Sequence, residues 1–113
     1  MAKVPDRHWE LDTAYERLFR EVTDLLFRHD PVGINFETNT DEYEPETRTI
    51  LPRLREAASV EDVQGIVHEE FVRWFDHDIA GAPSRYASIA GEVWKLWAES
   101  PLSRPGQSPS EQP

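Results

Sequence analysis

Apolar residues recur at steps of three and four between Asp12 and His29, and this spacing constrains the fold more than any other feature of the chain. On an α-helix such residues lie on one face, so the segment is predicted to be an amphipathic helix. The helix is predicted to end at Asp30-Pro31, because proline disfavours the helical conformation of the residue before it. The recurring side chains are Tyr15, Leu18, Phe19, Val22, Leu25, Leu26 and His29.

The same spacing predicts three further helices, and no stretch alternates with the period of two that is typical of a strand. Pro52 lies within the second helix, where its missing N–H is expected to cause a kink or a break. Ser59, with Asp62 three residues later, is a predicted N-cap of the third. We therefore predict an all-α fold, a small four-helix bundle with a long acidic loop between helices 1 and 2. The later helices are predicted from Pro45 to about Ala58, from Val63 to about residue 76 with Phe71, Trp74 and Phe75 in its apolar stripe, and from about Ser84 to about Glu99.

The chain of 113 residues has room for one domain, and a domain of this size can bury a core without disulfides. It contains no cysteine, so disulfides, thiolate zinc sites and cysteine nucleophiles are excluded. We predict a flexible N-terminal segment at 1–9, a helical domain at 10–99 and a disordered tail at 100–113, which is rich in proline and serine. No apolar run has the length of a signal peptide or a membrane span, so a cytoplasmic protein is expected.

Negative charge is concentrated between the first two predicted helices. The net charge is −10, and residues 30–46, called the acidic segment below, contain six acidic residues and no basic one. A general nucleic-acid-binding role requires clustered lysine and arginine, so this composition argues against it. A local negative field instead steers a partner with a basic surface. We therefore expect a protein partner, and neither a nucleic acid nor a membrane.

Turns and helix caps account for part of the acidic segment. Its opening Asp-Pro-x-Gly sequence is typical of a type I turn. The carboxylates and the proline near its end suit the first turn of a helix. Glu37, Glu44 and Glu46 have no such role, so they are candidate partner-binding residues around Tyr43. The predicted structural residues are Asp30, Pro31, Gly33, Asp41, Glu42 and Pro45.

The aromatic residues of the fourth helix are further candidates for partner binding. They do not all fit one narrow stripe, and one explanation is that some of this aromatic surface is exposed, as partner sites often are. The alternative is a core that wraps this helix on two sides. The predicted partner-binding residues are Glu37, Tyr43, Glu44, Glu46, Trp94 and Trp97.

A cation site is the alternative interpretation of the acidic segment. Residues 35–46 place several oxygen ligands in the register of an EF-hand calcium loop, but Thr40 stands where that loop requires glycine. A looser divalent-cation or hydrolytic site has no spacing rule behind it. Its ligands would be His29, Asp30, Asp41, Glu42 and Glu46.

Catalytic motifs give little support to an enzyme. His68-Glu69 begins like a zinc-protease motif, but Val72 occupies the position of the second histidine. No serine lies in a nucleophile elbow, and no glycine-rich phosphate loop is present. We therefore assign no catalytic residue, no metal and no cofactor, and we do not expect an enzyme.

Three sequence stretches resemble a known family. An apolar helix followed by D-P-V-G-I-N, then by D-E-Y-E-P-E and T-I-L-P-R-L, is similar to the YugE-like group of small bacterial helical proteins of unknown function. The resemblance covers roughly residues 18–75, and it implies an all-helical fold but no activity. The shared positions are Asp30, Pro31, Gly33, Asp41, Glu42, Tyr43 and Glu46.

The functional prediction is a small acidic protein-interaction module that acts through residues 30–46. An inhibitor or an immunity-like protein is one form of such a module. The glutamates would steer the partner, and aromatic side chains would anchor it. The alternative is a divalent-cation-binding or hydrolytic domain that uses the carboxylates of the same segment.

Overall fold

The described residues of this computed structural model are 7–33 and 43–103, with side chains described from residue 13, and all their regular structure is helical. The prediction of an all-α fold is confirmed. No described helix is both long enough and apolar enough to cross a membrane. The five α-helices of this part of the chain are α1 (Arg7–His29), α2 (Glu44–Ile50), α3 (Val60–Phe75), α4 (His77–Ala80) and α5 (Ala87–Glu99), and the 3-10 helices are Leu51–Glu56, Pro83–Tyr86 and Pro101–Ser103.

One hydrophobic core joins α1, α2, α3 and α5. Each of these helices contributes buried side chains at the three- and four-residue spacing seen in the sequence. α5 packs against both α3 and α1. It is antiparallel to α1, because Glu92 near its start meets His29 at the end of α1, whereas Glu99 shares a groove with Glu21 further back. The core members include Leu25, Leu26, Ile50, Val67, Phe71, Ile89 and Val93.

The first helix is longer than its apolar spacing predicts. α1 begins at Arg7, so residues 7–9, which were predicted to be flexible, belong to it. Residues 1–6 lie outside the described part of the chain. The helix ends at His29 as predicted, and Asp30 adopts a left-handed conformation with φ of 49°, which an aspartate tolerates better than most residues.

The second predicted helix breaks at Pro52. α2 ends at Ile50, and residues 51–56 continue as a 3-10 helix with the proline in its first turn, where a backbone N–H is not needed. The predicted N-cap of α3 is also confirmed. The Ser59 hydroxyl accepts a hydrogen bond from the Asp62 N–H at 3.2 Å, and the Asp62 carboxylate accepts one from the Ala58 N–H at 2.8 Å.

Two short helical turns were not predicted from the sequence. Asp76 has a φ of 92° and redirects the chain into α4, where its carboxylate accepts a hydrogen bond from the Ile79 N–H at 3.0 Å. Residues 101–103 form a 3-10 turn, and Leu102 packs against the core. Residues 101–103, which were assigned to the tail, therefore belong to the described helical structure. Residues 104–113 lie outside the description.

Candidate functional site

A partly buried hydrogen bond connects Asp30, the first residue of the acidic segment, to Tyr43 near its end. The Tyr43 hydroxyl donates to Oδ1 of Asp30 at 2.7 Å, and the Tyr43 ring is fully buried in the core. Next to it, the Gly33 N–H donates to the Asp30 carbonyl at 3.2 Å, which closes a turn over residues 30–33. The fold thus holds both ends of the segment, while residues 34–42 lie outside the description.

Arg85, in the 3-10 helix before α5, connects the turn over residues 30–33 to α4. Its Nη1 lies within hydrogen-bond distance of the Pro31 carbonyl, at 2.9 Å, and of the carbonyls of Ile79 and Ala80, at 2.9 and 3.0 Å. Gly81 makes room for this guanidinium, since a Cβ there would lie 2.6 Å from Cζ of Arg85. The start of the acidic segment is therefore fixed by residues far away in sequence.

The predicted partner-binding residues of the acidic segment separate in the structure. Glu37 lies outside the described residues, as do the predicted capping residues Asp41 and Glu42. Tyr43 is 0% exposed and Glu46 is 3% exposed, so neither side chain lies on the surface that a partner would contact. Tyr43 directly precedes α2 and Glu46 lies within it, and both face the core at the three- and four-residue steps that also bury Ile50.

Glu44 and Pro45 remain at the surface. Pro45 is exposed in the first turn of α2, and Glu44 is half-buried. Glu44 forms an exposed ion pair with Arg48, with 3.4 Å between Oε1 and Nη2. Of the predicted partner-binding glutamates among the described residues, Glu44 is the one that a partner can reach.

The predicted aromatic anchors of α5 are mostly core residues. Trp97 is 7% exposed, and Trp94 is half-buried and packs against the core. Trp97 is not an exposed anchor, because α5 packs against both α1 and α3, so that its apolar residues find partners on two sides. The alternative interpretation, a core wrapped around this helix, describes the structure.

Trp74, which the spacing predicts to lie in the apolar stripe of α3, is exposed. It lies in the last turn of α3 and is 46% exposed. Its indole N–H donates a hydrogen bond to Oγ1 of Thr49 at 3.0 Å. The spacing of apolar residues in α3 does not predict this exposure, because it depends on α2, which is short and covers only part of α3. The open groove beside the ring, about 380 Å³ in volume, is called the Trp74 groove below and is lined by Glu44, Pro45, Arg48, Thr49 and Trp74.

Aromatic side chains continue the surface on the far side of Arg48. Its guanidinium carbon lies 4.9 Å from the centre of the Phe19 ring, in a cation–π arrangement. Tyr15, which is 38% exposed, stacks on Phe19 with 6.3 Å between the ring centres. The surface therefore combines tryptophan, tyrosine and arginine, the residue types that dominate binding energy at protein interfaces.

A second groove, of about 440 Å³, lies at the surface between α1 and α5. Nε2 of His29 lies 2.8 Å from Oε2 of Glu92, and Arg28 lies 3.6 Å from the same carboxylate. The hydrogen bond from His29 lowers the pKa of Glu92 below its ordinary value of 4.5. Lys95 also lines this groove, so acidic and basic groups are mixed along it.

The proposed cation ligands do not meet in the described part of the chain. His29 contacts Glu92, Asp30 accepts a hydrogen bond from Tyr43, and Glu46 lies in the core. Among the described residues, no group of three or more histidine, aspartate or glutamate side chains could hold a metal ion. Asp41 and Glu42 lie outside the description.

A buried carboxylate fixes the 3-10 helix 51–56 against α3. Arg53 donates to Glu70, which is buried, at 2.9 Å and to the exposed Glu69 at 2.8 Å. Arg73 lies 3.4 Å from the same Glu70 oxygen. The hydrogen bond with Glu69 is the largest cause of the raised pKa of Arg53. This network holds α2 in place beside Trp74.

No protein-family model matches the chain, and neither the curated proteins nor the solved structures contain a significant match. The resemblance to the YugE-like group therefore stays a prediction.

Proposed function

We propose that this chain is a small acidic protein-interaction module, and that it binds a partner with a basic surface through the acidic segment and the adjoining Trp74 groove. The role we favour within this class is that of an inhibitor or immunity-like protein, acting in a bacterial cytoplasm. Its scaffold in this proposal is a four-helix bundle of α1, α2 with its 3-10 continuation, α3 and α5, to which α4 is added.

The attachment of the acidic segment at both ends is the observation that carries this proposal. The bond from Tyr43 to Asp30 joins the ends, and Arg85 holds Pro31. The acidic segment contains six acidic residues and no base, and these like charges repel one another. Holding the ends of this segment together therefore costs free energy that an uncharged connection between helices would not require. Presentation of negative charge to a partner accounts for this arrangement.

The position of the Trp74 groove supports the same proposal. Glu44 and Pro45 belong both to the acidic segment and to the groove lining. A partner steered by the segment therefore arrives next to a half-exposed tryptophan. Steering charges beside an aromatic anchor are the arrangement in which the charges govern encounter and the aromatic residue supplies contact energy.

Affinity capture from the native host tests this function. The wild type is compared with a Glu37→Gln/Glu44→Gln variant and with a Glu61→Gln/Glu99→Gln control, which changes the charge equally at exposed positions on α3 and α5. Glu46 is left unchanged because it is buried. We expect the first variant to lose most of the partner and the control to retain it. Equal recovery from all three proteins would contradict the proposal.

A further inference from the structure

The Trp74 ring is held in a fixed orientation by its polar edge. Its indole N–H donates to Thr49 Oγ1 at 3.0 Å, and this hydroxyl in turn donates to the Glu46 carbonyl at 3.1 Å. Both donors are thus used within the chain. The exposed part of the ring offers a partner its π surface, which carries partial negative charge.

The other side chains that line the groove also favour a cation. Glu44 carries a carboxylate, which only accepts hydrogen bonds, and the Pro45 ring is apolar and has no N–H. Arg48 is the basic group here, and it already contacts the Glu44 carboxylate at 3.4 Å and the Phe19 ring at 4.9 Å. A π surface next to a carboxylate is the chemistry that recognises a positively charged group.

The charge around the groove points in the same direction. Glu44 belongs to the acidic segment, which contains no base, so the field of this segment attracts a cation to this end of α2. A second copy of the chain is a poor occupant, because two molecules that each carry a net charge of −10 repel one another.

We propose that the Trp74 groove binds an arginine side chain from an extended segment of the partner protein. The guanidinium stacks on the Trp74 indole and pairs with Glu44. Arginine suits the groove better than lysine because its planar group stacks on an aromatic ring and donates in parallel to a carboxylate. It would displace only an exposed ion pair between Glu44 and Arg48, which solvent screens. This inference rests on the proposed function, since it specifies the contact made by the same partner.

Nuclear magnetic resonance on the full chain tests the inference with a defined probe. The probe is a capped peptide, Ser-Pro-Arg-Pro-Ser, and its matched controls carry citrulline, lysine or glutamate in place of arginine. The indole N–H signal of Trp74 is assigned with a Trp74→Phe variant. We expect a saturable shift of this signal, with a dissociation constant on the order of millimolar, and binding at least several-fold weaker for the citrulline peptide. Equal binding of the arginine and citrulline peptides, or tighter binding of the glutamate peptide, would overturn the proposal.

Two variants locate the bound group. Glu44→Gln removes the carboxylate and should weaken peptide binding several-fold, whereas Glu61→Gln, an equal charge change on an exposed part of α3, should leave it unchanged. If the peptide shifted only signals of residues in the groove between α1 and α5, or if both variants bound it equally well, the peptide would bind elsewhere. Either result would contradict the inference.

Two further outcomes would assign the groove to another occupant. A Trp74 signal that moves with protein concentration would indicate a second copy of the chain. A signal that moves when residues 104–113 are removed, with tighter peptide binding, would indicate the tail of the chain itself. Either result would contradict the assignment to a partner protein.

The outcomes for the groove and for the proposed function are separable. If the Glu37→Gln/Glu44→Gln variant loses the captured partner while the arginine peptide does not bind, the function stands and the groove inference fails. If peptide binding depends on Glu44 and Trp74 while capture shows no dependence on the acidic segment, the groove inference stands and the proposed function fails.

Discussion

The hydroxyl of Tyr43 donates a hydrogen bond to Asp30 across 2.7 Å, and it joins the two ends of the most acidic stretch of the chain. The residues are thirteen positions apart, and the bond forms because Tyr43 is drawn into the core directly before α2. A residue expected to contact a partner thus acts inside the protein, where it holds the acidic segment in place.

Removal of this hydroxyl should destabilise the protein. Tyr43→Phe keeps the ring in the core and leaves Asp30 without this donor, so we expect the free energy of unfolding to fall by about 1.5–3 kcal/mol, as for a hydrogen bond to a charged group. Denaturant unfolding at neutral pH measures the change. Tyr15→Phe, at an exposed ring, is the control and should stay within about 0.5 kcal/mol of the wild type. Equal stability of the two variants would show that the Tyr43 bond contributes nothing.

Gly81 should tolerate no side chain. Its backbone has a φ of 82° and a ψ of −169°, a combination that strains a residue with a Cβ. Gly81→Ala is therefore expected to lower the free energy of unfolding by about 1–3 kcal/mol and to push Arg85 away from Pro31. Gly65→Ala is the matched control. It lies in the interior of α3 with open space at the Cβ position, so it should stabilise the protein by up to about 1 kcal/mol. Thermal and denaturant unfolding measure both variants. An unchanged free energy of unfolding for Gly81→Ala would contradict this prediction.

Arg53 should be required for the stability of the protein. Arg53→Met leaves the buried Glu70 carboxylate with its more distant contact to Arg73, at 3.4 Å. Loss of one partner from a buried ion pair costs about 3–5 kcal/mol, and we expect the lower end of that range because Arg73 remains. The exposed Arg55, changed to Met, is the control. Denaturant unfolding measures both variants. If Arg53→Met were no less stable than the control, the buried Glu70 carboxylate would not depend on Arg53, and the prediction would be wrong.

The contact between His29 and Glu92 should appear as an acid-dependent stability. Because the pKa of Glu92 is lower in the folded protein than its ordinary value of 4.5, ionised Glu92 stabilises the fold above that pH. The contribution is lost as the pH falls through the lowered pKa. The stability difference between the wild type and Glu92→Gln should therefore be largest near neutral pH and shrink below 4.5. Glu61→Gln is the control for the loss of one carboxylate. If the stability difference between Glu92→Gln and Glu61→Gln did not change with pH, the prediction would be contradicted.

The helices could be predicted from the sequence because their apolar residues repeat at helical spacing. The end of α1 at His29, the break at Pro52 and the cap at Ser59 each depend on local chemistry that a sequence displays. α4 could not be predicted in this way, since its four residues are too few for a periodic pattern. The turn at Asp76, which starts α4, has a positive φ of 92°, and the spacing of apolar residues carries no signal for such a backbone conformation.

The candidate site was harder to predict because exposure depends on which helices meet. Trp74 and Trp97 both lie in helices with apolar stripes, yet α5 is covered on two sides and the end of α3 is left partly open. Tyr43 and Glu46 were assigned to partner binding because they lie in the acidic segment, yet both side chains are buried. The start of α2 at Glu44 sets which residues face the core, and the sequence did not specify that register.

The rate at which the captured partner associates with the chain tests the central claim most directly. Stopped-flow or surface-based kinetics would compare the wild type, the Glu37→Gln/Glu44→Gln variant and the Glu61→Gln/Glu99→Gln control over a range of salt concentrations. If the acidic segment steers a basic partner, the association rate constant of the wild type falls as salt rises, and the first variant associates several-fold more slowly at low salt while the control does not. Equal association rates for both variants, or a wild-type rate that does not depend on salt, would contradict the claim.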